Sequence, residues 1–468
     1  MIRISIFLFV FAFCYSVKAQ TPYTQAQFAY DSILNVVYGS DIDYGGNMDT
    51  LKLDIFKPVG DANCKRPIMM LLHGGAWAVG NKEDASMKYM SRELAKRGWI
   101  VANINYRLGT HKTSDYTMKL FCNSSISEPC AYICDTTEAI RGNFRSMQDA
   151  KGAIRFMKSR NLIDSSDINN VFIGGESAGA FTSYSVGFTD KLSEKPSSCY
   201  SIADAPTPDT YFANLACTHT PLNFSRPDLG SIEGTLNLGT YDANVKGIAS
   251  FFGGVFDLNI FQQTDSTPCV YMFCQGSDVI VNYNYGKIFG RIDSECYSAI
   301  CQPYAFYPNA WGNEGLRQHF VSMGSYAPYY KAEIIDNYAL NNNCFVTGHA
   351  IDDPQLRLQN MADFFATKIA SSGNSPQTNC GSNRISELEC ISNNIKFQNP
   401  CSNNLNIEIS TKLIGSKYAI SNYFGEILAS GFLNSTNSAI NLSSLSNGFY
   451  LFSIEKGSQK KTYKVIKN

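Results

Sequence analysis

Between Leu51 and about Ser372 short apolar runs alternate with segments whose apolar residues recur every three or four positions. The runs Leu51–Phe56, Ile68–Leu72, Trp99–Ile104, Asn170–Ile173, Ile248–Phe252, Val270–Phe273 and Ala332–Ile335 predict strands. The stretches Ser86–Lys96 and Ser146–Lys158 predict helices between them. In Pro354–Ile369 the apolar positions Leu356, Leu358, Met361, Phe364, Phe365 and Ile369 predict a helix with one buried face. Strands alternating with helices predict a mostly parallel central sheet flanked by helices. Two irregular insertions, His111–Asn143 and Gly187–Gly247, interrupt the pattern. Loops of that length are usually functional covers or disordered excursions.

The pattern changes at both ends. Residues 373–394 turn to Ser, Gly, Asn, Pro and Gln, a linker composition. From Ile395 to the last residue, short alternating runs punctuated by Gly425, Gly431, Gly448 and Gly457 predict a small β-sandwich over 395–468. At the other end, Met1–Gln20 has a charged Arg3, an apolar middle and the small-residue finish Val17-Lys18-Ala19. That is the layout of a secretory signal peptide, with an uncleaved anchor as the alternative. Its apolar run is shorter than the roughly 20 residues a membrane span needs, and no later stretch approaches that length. The expectation is an exported, soluble chain whose main domain covers 21–372.

Composition narrows the partners. At 468 residues the chain is long enough for two or three domains, and 44% apolar residues supply a sizeable core. Lys and Arg total 39 against 40 Asp and Glu, so no charge excess is available to hold a nucleic acid. Disorder is excluded as well, since it needs low hydrophobicity and high net charge. Of 15 cysteines, Cys14 lies in the leader, and the remaining even number in an exported chain predicts disulfides. Cys122, Cys130 and Cys134 crowd one loop, Cys269 and Cys274 flank a strand, and Cys296 and Cys301 share another loop. The pairing is not legible, and no Cys-x-x-Cys with histidine at ligand spacing suggests zinc.

Three spots carry chemistry. Gly175-Glu176-Ser177-Ala178-Gly179 follows the apolar run ending at Ile173 and opens a small-residue helix start. Gly-x-Ser-x-Gly between strand and helix is a nucleophile elbow, whose tight turn demands glycine on both flanks and thrusts the serine out. Upstream, His73-Gly74-Gly75-Ala76-Trp77 follows Ile68–Leu72. A Gly-rich loop there offers backbone N–H groups where an oxyanion would develop. Gly75 and Ala76 are the expected donors, with Ala178 completing the set and Gly74 read as present for backbone freedom. An acid and then a base should follow. Asp278 stands directly after the Val270–Phe273 run, and His349 stands on the loop before the last helix. Of the 5 histidines, His73 belongs to the Gly-rich loop, His111 and His219 to insertions, and His319 to a helical stretch where packing explains it. Asp257, one strand earlier, is the rival acid. Asp149 and Glu176 are read as structural, orienting a helix or holding the elbow. With these parts His349 would take the Ser177 proton, Asp278 would hold the imidazole tautomer, and water would release an acyl-enzyme. No metal or organic cofactor is called for.

LKLDIFKP, LLHGGAW, NINYRL, QDAKGAIRFMKSRNLIDSSDINNVFIGGESAG, GSDVIVNY and GHA together make Leu51–Ser372 resemble the carboxylesterase/lipase branch of the α/β-hydrolase superfamily. Two departures stand out: Ala76 replaces a common third glycine, and the Asp278–His349 interval carries a long Cys-containing insertion. The resemblance implies an α/β-hydrolase fold and a secreted serine esterase. Its expected substrates are acyl groups on plant polysaccharides or small soluble esters. A serine peptidase and a non-enzymatic binding or adhesion protein on the same scaffold are the alternatives. The latter typically lose the nucleophile or base, and here all three residues are present. FQNP and LSSLSNGFYLFSIEKGSQKKTYKVIK make the tail resemble the type A sorting domain of the type IX secretion system. That implies secretion machinery as a partner and a location outside the cell or on its surface. A carbohydrate-binding or adhesion module is the alternative for the tail.

Overall fold

The computed structural model describes residues 22–111, 133, 135–202, 225–262, 267–291, 307–338, 348–371, 395–422, 426–456 and 459–468. The leader, the 373–394 linker, most of 111–143 and part of 187–247 lie outside these residues, as do His219 and the Cys122, Cys130, Cys134, Cys296 and Cys301 groups. The chain divides into two units, Met1–Gln377 and Thr378–Asn468.

In the first unit the strands are β1 (Ala29–Ile42), β2 (Met48–Val59), β3 (Arg66–Leu72), β4 (Ile100–Ile104), β5 (Ser166–Glu176), β6 (Gly247–Phe251), β8 (Cys269–Gln275) and β11 (Tyr330–Ile335). They form one sheet in the order β1-β2-β4-β3-β5-β6-β8-β11. β1 and β2 pair antiparallel at one edge, β2 runs antiparallel to β4, and from β4 to β11 every pairing is parallel. A parallel sheet needs cover on both faces, and β3 shows how its residues divide. Met70 and Leu72 join the cluster under α2 (Thr136–Ser159) and α4 (Ala178–Phe188), whereas Met69 and Leu71 join the cluster under α1 (Ala85–Ala95) and the helix Pro354–Ser371. The period-2 alternation of the strand feeds two cores at once.

Local chemistry starts and stops these elements. Asp84 caps α1 by accepting from the Ser86 and Met87 N–H groups, and Asp135 caps α2 by accepting from Thr137 N. A short helix α3 (Asn161–Asp164) follows α2 and ends at Ser165 in the left-handed region. α2 begins at Thr136, so the last part of the expected insertion 111–143 is helical. Its opening turns bury Glu138, Arg141, Asn143 and Arg145 alongside Ala139 and Phe144, so charged and polar residues break up the apolar face there. The exposed, mixed pattern of β1 hid that edge strand in the same way. Three short strands, β7 (Gly254–Val255), β9 (Tyr285–Lys287) and β10 (Asn309–Gly312), form a separate antiparallel sheet in the order β7-β10-β9.

The second unit is all β. Strands β12 (Ile395–Phe397), β13 (Asn404–Ile409) and β16 (Asn437–Asn441) make one antiparallel sheet. Strands β14 (Ser416–Ser421), β15 (Ile427–Leu433), β17 (Gly448–Lys456) and β18 (Gln459–Lys467) make another. β13 alternates strictly, with Leu405, Ile407 and Ile409 buried and the residues between them exposed. These three pack with Ile420, Leu433, Phe452, Ile454 and Val465 into a core belonging to this unit. Among the described residues no helix is long and apolar enough to cross a membrane.

Of the five described cysteines, Cys64 is in a disulfide, whereas Cys199, Cys269, Cys274 and Cys401 are buried free thiols. Cys269 and Cys274 therefore do not bridge. Burial pushes both the Cys199 and Cys269 thiols up to about 12, which keeps them protonated and unreactive.

Candidate active site

The carboxyl ends of β3, β5, β6 and β8 converge on one edge of the sheet, where open α/β sheets place their ligands. A cavity of about 410 Å³ opens there, lined by Gly74, Gly75, Glu176, Ser177, Phe252 and His349 among others.

Ser177 joins β5 to α4 with φ 52° and ψ −122°, a left-handed backbone conformation that costs a non-glycine residue energy. Two bonds hold the turn: Ser177 N donates to Phe251 O at 3.0 Å, and Ser177 O accepts from Ala180 N at 2.9 Å. The flanking glycines are required by space. A Cβ on Gly175 would lie 2.5 Å from Leu72 O, and one on Gly179 would lie 2.4 Å from the same oxygen. The end of β3 thus passes against both arms of the elbow.

The loop after β3 carries three consecutive left-handed residues, Gly75 (φ 109°), Ala76 (φ 52°) and Trp77 (φ 58°). Gly75 O accepts from the Ala78 and Val79 N–H groups, which closes the loop on itself. Gly74 is not among the left-handed glycines, contrary to the reading that it supplies backbone freedom. Its lack of a side chain matters because a Cβ would crowd Ser177 Cβ at 3.2 Å. Ala178, the first residue of α4, is buried beside the elbow.

His349 Nδ1 lies 2.8 Å from Asp278 Oδ2. Asp278 is 1% exposed, and its other oxygen accepts from the Ile280 and Val281 N–H groups at 2.8 and 3.0 Å. Such bonds fix the orientation of the carboxylate. Close approach of the two loops depends on Gly348 (φ 64°), where a Cβ would meet Ser277 Oγ at 2.4 Å. Gln275 Nε2 donates to Ala350 O at 3.0 Å and ties the histidine loop to β8. The rival acid Asp257 is exposed, caps a single helical turn and borders a separate hollow of about 740 Å³. His319 packs against Phe261 on the helix Asn313–Met323, outside the cavity. Asp149 is buried against Arg107 at 2.7 Å, a structural pair.

Two features escaped the sequence reading. Phe252, left-handed at φ 41°, follows β6 and sets its ring 4.4 Å from the His349 ring. The only trace in the sequence is the Gly253-Gly254 pair that follows it. Glu176 does not merely hold the elbow: it faces the cavity and meets Ser86 Oγ at 2.6 Å. Burial and the neighbouring Asp84 carboxylate raise the Glu176 pKa. His73 is buried against Tyr106, and burial lowers its pKa to about 4. Among the described residues no cluster of three or more His, Cys, Asp or Glu is arranged to hold a metal.

Comparison with known proteins finds partial matches. Residues 53–119 match the family model described as BD-FAE, and residues 397–468 match the secretion system C-terminal sorting domain. Gut esterase 1 of Caenorhabditis elegans is 28% identical over 137 residues, covering 29% of this chain and 20% of that protein. Bile salt-activated lipase of Rattus norvegicus is 30% identical over 145 residues, covering 30% of this chain and 20% of that protein. The chain therefore spans about a fifth of the length of these curated relatives. The apo form of Thermogutta terrifontis esterase 2 aligns over 74% of this chain and 96% of its own, at 14% identity and a TM-score of 0.40. Residues 53–119 are thus similar to the BD-FAE family and to segments of carboxylesterase- and lipase-type proteins, residues 397–468 are similar to a secretion-system sorting domain, and the parallel sheet carries a strand–serine–helix elbow.

Proposed function

We propose that the chain is an exported serine hydrolase of carboxylic esters, with Ser177 as nucleophile, His349 as general base and Asp278 as the group that orients it. The observation that carries this reading is the 2.8 Å contact of His349 Nδ1 with Asp278, on a cavity that Ser177 also lines. With Nδ1–H donated to the carboxylate, Nε2 of His349 is left as the base. His349 takes the Ser177 proton as Oγ attacks the ester carbonyl. The oxyanion forms toward the N–H groups of Gly75, Ala76 and Ala178, and the imidazolium then protonates the leaving alcohol. Water, activated by the same histidine, releases the acid. Small soluble esters and acyl groups carried on polysaccharides are the proposed substrates. The sorting domain at 397–468 supports passage through secretion machinery to the cell surface or beyond, following a leader at 1–20.

The test is a panel of chromogenic acyl esters with one peptide amide, run on wild type and Ser177→Ala. The expected result is ester turnover that falls by about 10⁴-fold or more in the variant, with a phosphonate probe labelling only Ser177. Retained turnover, or labelling of another residue, overturns the assignment. Preference for the amide makes the chain a peptidase.

A further inference from the structure

The Ser86 hydroxyl lies between two carboxyl groups. Its Oγ is 2.7 Å from Asp84 Oδ1 and 2.6 Å from Glu176 Oε2. A hydroxyl owns one hydrogen, so it fills only one of these contacts. The other brings two oxygens to hydrogen-bonding distance and needs a second hydrogen, which only a carboxyl group can supply. Asp84 Oδ1 already accepts from the backbone N–H of Ser86 at 2.9 Å and of Met87 at 3.0 Å. That oxygen is thus the acceptor end of the array. The second hydrogen therefore belongs to Glu176, giving the chain Glu176 Oε2–H to Ser86 Oγ–H to Asp84 Oδ1.

We infer that Glu176 is held as a neutral acid beside the nucleophile and acts as a positioning residue for the proposed hydrolysis. It packs against Gly74, where a Cβ would lie 3.5 Å from Glu176 Cγ, so the elbow adjoins the loop that would receive the oxyanion. As a neutral group it keeps a second negative charge out of the cavity where that oxyanion develops. The groups facing it are Asp84 and Ser86 at the start of α1, Tyr106 after β4, and His73 and His349 across the cavity. The Asp84 charge raises the Glu176 pKa, and a protonated His349 lowers it. Ionisation of Glu176 at alkaline pH then places an anion beside the reacting oxygen and lowers turnover. This inference rests on the hydrolase reading above, so its test includes a measurement that needs no turnover.

The infrared spectrum of the full chain at neutral pH should contain a protonated-carboxyl band that Glu176→Gln removes. The pH profile of kcat/KM on a soluble ester should show an alkaline fall in wild type. Glu176→Gln, whose amide N–H replaces the acid hydrogen, should lose that fall and keep kcat within about tenfold of wild type. Glu176→Ala should lower kcat by about 10²-fold. Asp84→Asn, an equally good cap, removes the charge that raises Glu176, so the alkaline fall should move to lower pH. Absence of the band, an unmoved alkaline limb in Asp84→Asn, or Glu176→Gln as damaging as Glu176→Ala overturns the inference. A band that is present in a chain hydrolysing no ester leaves the proton assignment standing, and retires the hydrolase reading and the positioning role with it.

Discussion

Acid should destabilise the first unit through His73, by an amount set by its burial. The side chain is 2% exposed and stacks on the Tyr106 ring at 4.4 Å. Nδ1 lies 2.6 Å from Gly74 O, so Nδ1–H donates to that carbonyl, and Nε2 is buried without a hydrogen-bond partner. A proton added at Nε2 would create a buried charge whose new N–H meets no acceptor. This drives the folded-state pKa to about 4 against an ordinary 6.5. At neutral pH both folded and unfolded chains hold the neutral imidazole. As pH falls through 6.5 the unfolded chain takes up a proton that the folded chain refuses, so stability drops until about pH 4, where both are charged. At roughly 1.4 kcal/mol per pH unit this window amounts to about 3 kcal/mol. Trp77, Trp99 and Trp311 all lie in the first unit, so tryptophan fluorescence during guanidinium unfolding follows that unit alone. The comparison is wild type against His73→Asn, whose side-chain amide can still donate to Gly74 O. His111, also lowered to about 4 by burial, contributes equally to both and cancels. The stability advantage of wild type should shrink by about 3 kcal/mol between about pH 7 and about pH 4. An advantage that stays constant over that range refutes the reasoning.

Asp278→Asn should cut kcat by about 10⁴-fold, whereas Asp257→Asn and His319→Ala should change it less than about tenfold; initial rates on one ester decide between them. Alkylation of the native protein should leave Cys199, Cys269, Cys274 and Cys401 unlabelled, and unfolding without reductant should expose all four while Cys64 stays blocked. Mass spectrometry of the alkylated peptides reads this directly, and rapid labelling in the native state would contradict their burial. Ending the chain after Gln377 should leave kcat and the tryptophan unfolding transition unchanged and should stop export in the native host, as fractionation of the cells would show.

Much of the main sheet was legible because a strand buried on both faces leaves a continuous apolar run, as Ile68–Leu72 and Val270–Phe273 do. The elbow and the Gly-rich loop were legible for a related reason. Backbone passing within 2.5 Å of a would-be Cβ admits only glycine, so Gly175 and Gly179 had to be written into the sequence. β1 and the opening turns of α2 were not legible, since one is largely exposed and the other buries charged and polar residues among its apolar ones, which blurs the hydrophobic period.

What the tertiary structure alone decided are pairings between groups far apart in the chain. Asp278 and Asp257 are both acids after a strand, and only the folding back of the histidine loop brings one of them to 2.8 Å from His349. Ser86 and Glu176 carry no joint signal across 90 positions, yet they meet at 2.6 Å. The sequence likewise counted cysteines without saying which are thiols, a property of burial and partner distance. Periodicity and glycine record what a residue needs from its own neighbourhood along the chain. Hydrogen bonds, protonation and disulfides depend on distance in space, which the sheet and its two helical layers set only once they are packed.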